Sequence, residues 1–181
     1  MVSVYKSSDD SYLLLKHVEE LVRGSVLDMG TGSGIQAVAA ALKPDVEYVL
    51  AVDINPEAVE AAKEIAAHAG VISKMRFLVS DLFTNVKERF DWIIFNPPYL
   101  PSEGDVEDPT WAGGESGGET IERFLGEATS HLVLGGSILM IVSSETGLNS
   151  GDYGYVWNIL EEKTLFFETL YCVCLTPSSS R

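Results

Sequence analysis

Val26-Leu27-Asp28-Met29-Gly30-Thr31-Gly32-Ser33-Gly34 runs from a short apolar strand into a glycine-rich turn, and residues 34–42 beyond it are Ala-rich and helical up to the break before Pro44. Glycines at such a turn let the backbone approach a ligand closely. Their spacing narrows the ligand. A dinucleotide fingerprint requires G-x-G-x-x-G, whereas Gly30, Gly32 and Gly34 stand in G-x-G-x-G and Ile35 occupies the place of the third fingerprint glycine. Pyrophosphate cradling is therefore disfavoured, although any tight strand-to-helix turn could use glycine for structure alone.

Working outward, residues 10–22 carry Leu13, Leu14, His17, Val18 and Leu21 at helical spacing, and Asp9-Asp10 can cap the start of that leading helix. Downstream, residues 46–52 read as a strand. Asn55-Pro56-Glu57 then opens a helix that runs to about His68, before Gly70. Met75 to Val79 and Phe90 to Phe95 read as two more buried strands. The stretch from Leu100 to Gly118, rich in Gly and Pro, suits a loop over a site. A helix is expected from Glu119 to about Leu132, ended by Gly135-Gly136, which opens a strand from Ser137 to Val142. A final helix is expected near Tyr155–Glu162, followed by β-rich sequence from Thr164 to Leu175. This alternation predicts one α/β domain over residues 1–181. Its mostly parallel, Rossmann-like sheet has helices on both faces and binds its ligand at the carboxyl ends of the strands.

Candidate site residues fall at those ends. Asp53 closes the second strand, with Ile54 beside it, where a carboxylate can accept from both hydroxyls of a ribose; a cap for the next helix is the plainer alternative, for which Asn55 is better placed. Asp81 ends the third strand and could accept from an adenine amino group, with the Leu82 N–H available to a ring nitrogen; a surface turn acid is the alternative. Asp28 and Ser11 are candidates for a cationic ammonium near the Gly30, Thr31, Gly32, Gly34 turn. Together these point to S-adenosylmethionine. Asn96-Pro97-Pro98-Tyr99 closes the fourth strand. Its prolines restrict the backbone, which could present the Asn96 side-chain oxygen and the Pro97 carbonyl as two rigid acceptors, with Pro98 and Tyr99 as flat walls. Such a pair suits a planar N–H₂ group that is to be methylated.

Formal charge is −15, from 27 acidic against 12 basic residues, and no stretch gathers Lys and Arg into a stripe, which argues against autonomous binding to nucleic acid. Residues 1–10 lack the basic and apolar regions of a signal peptide, and no apolar run approaches membrane-spanning length, so a cytoplasmic protein is expected. Cys172 and Cys174, the only cysteines, share one face of a strand and read as thiols; with His17, His68 and His131 scattered, no metal site is expected.

The order glycine turn, Asp53, Ser80-Asp81-Leu82 and Asn96-Pro97-Pro98-Tyr99 resembles class I S-adenosylmethionine-dependent methyltransferases, and more closely the HemK/PrmC-type protein-glutamine N5-methyltransferases. Trp111-Ala112-Gly113-Gly114, Gly117, Glu119, Arg123-Phe124, Val4-Tyr5, Asp9-Asp10-Ser11, Leu13-Leu14-Leu15 and Glu168-Thr169-Leu170 extend the resemblance to the short eukaryotic and archaeal branch. It implies a seven-stranded sheet and a class 1 translation release factor as substrate, methylated on the Gln of its Gly-Gly-Gln loop. It also implies a small zinc-binding activator subunit that covers an apolar surface. Two departures stand out. Lys6-Ser7 takes the place of Glu-Pro, and the stretch between the expected last helix and Glu168 leaves little room for a full sixth strand. The same acceptor pair would suit the exocyclic amine of a nucleobase such as adenine. Methylation of a protein lysine, which the resemblance to the short branch also implies, and a cofactor-binding scaffold without catalysis compete with the glutamine reading.

Overall fold

The computed structural model describes residues 9–97, 118–147 and 152–178. The leading helix, α1, spans Asp9–Leu21. Strand β1 (Gly24–Met29) and strand β2 (Val46–Asp53) are buried along nearly their whole length, as expected of strands covered on both faces. Between them lies α2 (Ile35–Leu42), whose small side chains Ala37, Ala40 and Ala41 are almost fully buried. Helix α3 (Pro56–His68) starts as its sequence suggests: the Asn55 side chain accepts from the Glu57 N–H at 2.9 Å, and Pro56 occupies the first turn. Strands β3 (Met75–Val79) and β4 (Phe90–Phe95) have the expected bounds. The chain continues through α4 (Glu119–Ala128), β5 (Leu132–Ser143), β6 (Tyr155–Thr164) and β7 (Thr169–Pro177).

These strands form one seven-stranded sheet in the order β3-β2-β1-β4-β5-β7-β6, parallel except for β7, which runs antiparallel to both β5 and β6. Helices α1 and α2 pack one face around Leu14, Val18, Ala40 and Ile94; α4 packs the other through Ile121, Phe124 and Leu125 against Phe90, Phe95 and Met140. The chain leaves β1 toward β2 and β3, then returns to β4 on its other side. That reversal places a crevice at the carboxyl ends of β1 and β4. Register makes those ends level: Met29 pairs with both Val52 and Phe95, so Gly30, Asp53 and Asn96 all follow the same row of the sheet.

Four expectations about the second half are corrected. Helix α4 stops at Ala128 and passes through one 3-10 turn, Thr129–His131, beside which the buried Tyr155 hydroxyl donates to the Leu125 carbonyl at 2.9 Å. Strand β5 then begins at Leu132 and runs through the two glycines. Two steps on β4, Phe90 to Trp92, face five on β5, Leu132 to Ser137; the extra residues form a bulge in which Gly135 takes φ 82 and Leu134 is fully exposed. The segment expected as a final helix is instead the strand β6. Its alternation is broken by a second bulge: Ile159 pairs with Val173 but Glu161 with Cys172. Trp157 packs on one face of the sheet and Leu160 on the other, as alternation along a strand requires, and the bulge then turns Glu161 to the side of Leu160, where its carboxylate meets Lys16 and His17 of α1. The sixth strand is thus a full ten residues.

Candidate active site

The glycine turn closes on itself and on β2. Thr31 N–H donates to the Val52 carbonyl at 2.8 Å and Gly32 N–H to Asp53 Oδ2 at 2.9 Å. Gly30, Gly32 and Gly34 all have positive φ, at 65, 53 and 79°. At Gly34 the need is also spatial, since a Cβ there would lie 2.9 Å from Ala62 Cα on α3.

Asp28 is buried beneath this turn, where Oδ2 accepts from the Thr31 hydroxyl at 2.7 Å and from the Ala37 N–H at 3.1 Å. Burial pushes its carboxyl up to about 7, against the pull of those two bonds. Asp53 is also raised by burial, opposed by backbone N–H donors of Asn55 and Gly32. Its two oxygens each take one backbone donor, Asn55 N–H to Oδ1 at 2.9 Å and Gly32 N–H to Oδ2. Each oxygen keeps a further lone pair. Ile54, half exposed, stands at the rim.

Asp81 lies at the end of β3, in a turn where Leu82 takes φ 45, a left-handed conformation unusual for a branched side chain. Ser80 Oγ donates to the Leu82 carbonyl at 2.9 Å and accepts from Asn85 N–H at 3.0 Å, which holds the turn. Asp81 is not alone there: Arg123 of α4 donates to its Oδ2 at 2.9 Å.

The fourth-strand end meets the start of α1. Asn96 Nδ2 donates to Asp10 Oδ2 at 3.1 Å and lies 3.4 Å from Ser11 Oγ. A carboxylate only accepts, so this contact fixes which way the amide is turned. Asn96 Oδ1, buried, has no hydrogen-bond partner among the described residues. Asp10 Oδ1 accepts the Ser11 N–H at 2.7 Å, and the Ser11 carbonyl accepts from Gln36 Nε2 at 2.8 Å, which ties the group to α2. Pro97 is buried beside it. Pro98, Tyr99 and the expected loop up to Gly117 lie outside the described residues.

The structure therefore gathers Asp28, Gly30, Thr31, Gly32, Gly34 and Asp53 in one cluster, and Ser11 and Asn96 in a second, on the same end of the sheet. Asp81 and Leu82 form a third, at β3. Asp10 and Gln36 were missed. Asp10 reads in sequence as a helix cap, and no local signal reveals that its other oxygen reaches residue 96. An exposed rim, a backbone turn open to close approach, carboxylates with spare acceptor capacity and an orphaned buried amide oxygen fit an adenosyl cofactor beside a polar acceptor group.

Residues 3–151 match the model of the methyltransferase small domain. A Methanocaldococcus jannaschii protein, provisionally named a protein N5-glutamine methyltransferase, is 40% identical over 149 residues, 80% of this chain and 74% of that protein. The release factor glutamine methyltransferase of Deinococcus radiodurans is 36% identical over 71% of this chain, which spans about half of it, 49%. The ribosomal RNA small subunit methyltransferase C of Yersinia enterocolitica is 30% identical over 74% of this chain and 35% of its own length. In fold, a ribosomal protein L11 methylase from Lactobacillus delbrueckii subsp. bulgaricus superposes with a TM-score of 0.68 at 22% identity, over 96% of this chain and 81% of that one. The chain belongs to the methyltransferase small domain family and is a methyltransferase whose cofactor is S-adenosyl-L-methionine.

Proposed function

We propose that the methyl acceptor is the side-chain amide nitrogen of the Gln in the Gly-Gly-Gln loop of a class 1 translation release factor, methylated in the cytoplasm. The observation that carries this reading is the buried, unpartnered Asn96 Oδ1, on an amide whose N–H₂ is tied back to Asp10. Among the described residues it is an acceptor with no donor, which suits a substrate N–H. The names of the archaeal and Deinococcus relatives point the same way.

Bound S-adenosylmethionine supplies an electrophilic methyl group on a sulfonium. In this reading Asp53 accepts the ribose hydroxyls, Asp81 and the Leu82 N–H meet adenine, and the Gly30–Gly34 turn, Asp28 and Ser11 receive the methionine end. Asn96 Oδ1 accepts one N–H of the substrate amide and the Pro97 carbonyl the other. Tyr99 and Pro98 wall the planar group. Holding the nitrogen in this way removes much of the orientational part of the barrier, up to ~7–11 kcal/mol in favourable cases. The methylated amide is strongly acidic while still protonated, so its proton passes to water and no side-chain base is needed. A lysine amine would instead arrive protonated and require one.

A small zinc-binding activator is part of the proposal. Both edge strands carry exposed apolar side chains, Val79 on β3 and Val156 and Ile159 on β6, with Phe166 and Phe167 bare at the turn between β6 and β7. The chain's own charge of −15 disfavours a nucleic acid acceptor.

Incubation with labelled cofactor and three acceptors, a release factor, a histone-like lysine peptide and ribosomal RNA, followed by mass spectrometry, tests the assignment. A single methyl on the Gly-Gly-Gln glutamine is expected. Label found only on RNA or lysine would replace it.

A further inference from the structure

We propose that Arg123 is a positioning residue for the cofactor: its guanidinium holds the Asp81 carboxylate so that the second oxygen serves the 6-amino group of adenine. The inference rests on the reading that adenine lies at Asp81. The ion pair spans 42 residues of sequence and joins α4, on one face of the sheet, to the carboxyl end of β3. It engages Oδ2 and leaves the lone pairs of Oδ1 for another donor.

Both ends of the pair are fixed from below. Asp81 opens the strained turn at Leu82, where its carbonyl accepts from Thr84 N–H at 3.1 Å. Phe124, next to Arg123, is fully buried, with its ring 4.3 Å from that of Phe95 and 5.4 Å from that of Phe83. Phe83 directly follows Leu82. One aromatic contact thus seats both the helix that carries Arg123 and the turn that carries Asp81. At 54 and 47% side-chain exposure the pair adds little to folding stability, so its consequence is directional. A carboxylate on an exposed turn would otherwise rotate and be hydrated on both oxygens. Arg123 also keeps Asp81 paired when a bound ring covers it, where an unpaired charge would be penalised.

The test uses two ligands that differ at the position in question. The homocysteine thioether of purine riboside replaces the 6-amino group of S-adenosylhomocysteine with hydrogen and keeps N1 an acceptor, which removes only the donor that faces Asp81. By calorimetry the full chain should prefer the adenosyl ligand by about tenfold or more. Arg123→Ala should reduce that preference by about threefold or more, with little change in unfolding temperature, while Arg123→Lys, which keeps a cation, should retain most of it. Asp81→Ala should abolish the preference. Equal loss of affinity for both ligands in Arg123→Ala, with the preference intact, would overturn the role of Arg123 and leave adenine at Asp81. A preference that survives Asp81→Ala would overturn the placement of adenine itself, and the proposal with it.

Discussion

Asp10 shows how one buried carboxylate can decide what another side chain does. By accepting from Asn96 Nδ2 it fixes the amide so that Oδ1 is the atom the proposal gives to the substrate amide. A second buried acid, Asp28, has a different consequence. Its carboxyl sits at about 7 in the fold, well above the ordinary 3.8, because burial disfavours the charge. A pKa raised by folding contributes stability that is fully present below the unfolded value and lost as pH rises through the folded one. The native protein should therefore lose up to a few kcal/mol from this group between pH about 4 and 8. Asp28→Asn should flatten that part of the profile in urea unfolding followed across the range; an unchanged slope would mean that Asp28 is already ionised in the fold. The placement of the glycine turn, Asp53, Asp81 and Asn96 at one end of the sheet was legible in sequence because the ends of parallel strands converge there. Asp10 and Arg123 were not, because their partners lie 86 and 42 residues away.

At the scale of elements, the first half of the chain was read nearly to the residue because each boundary carries local chemistry, such as the Asn55-Pro56 start of α3. The second half was harder. Two bulges, at Gly135 and at Leu160, break the period of two that identifies a strand, and neither leaves a local trace as strong as a cap. The end of α4 lies on a tertiary contact that carries no local signal. Tyr155, the first residue of β6, donates its hydroxyl to the Leu125 carbonyl and accepts from Thr129 Oγ1 at 2.7 Å. Tyr155→Phe would leave that carbonyl without its donor and should lower stability by about 1–3 kcal/mol in denaturant unfolding. No loss would show that this hydrogen bond contributes nothing to stability.

Across the whole molecule, the sheet divides the work at its reversal point: apart from Ser11 on α1, the residues assigned to the cofactor follow β1, β2 and β3, and the residue assigned to the acceptor follows β4. Both of its edge strands carry exposed apolar side chains on an acidic chain, which predicts that the protein purified alone self-associates and that light scattering falls when the activator is co-expressed. A monodisperse, fully active isolated chain would remove the activator from the proposal. The division itself makes the sharpest demand at Asn96, whose oxygen touches none of the groups assigned to ribose or adenine. Single-turnover methylation of a release factor by Asn96→Ala at saturating cofactor, with cofactor affinity measured in parallel, tests it most directly. The expected result is a rate lower by a factor of about 10²–10³ with cofactor affinity within about threefold of the native value. Near-normal turnover, or a loss of cofactor affinity in a folded variant, would contradict the account.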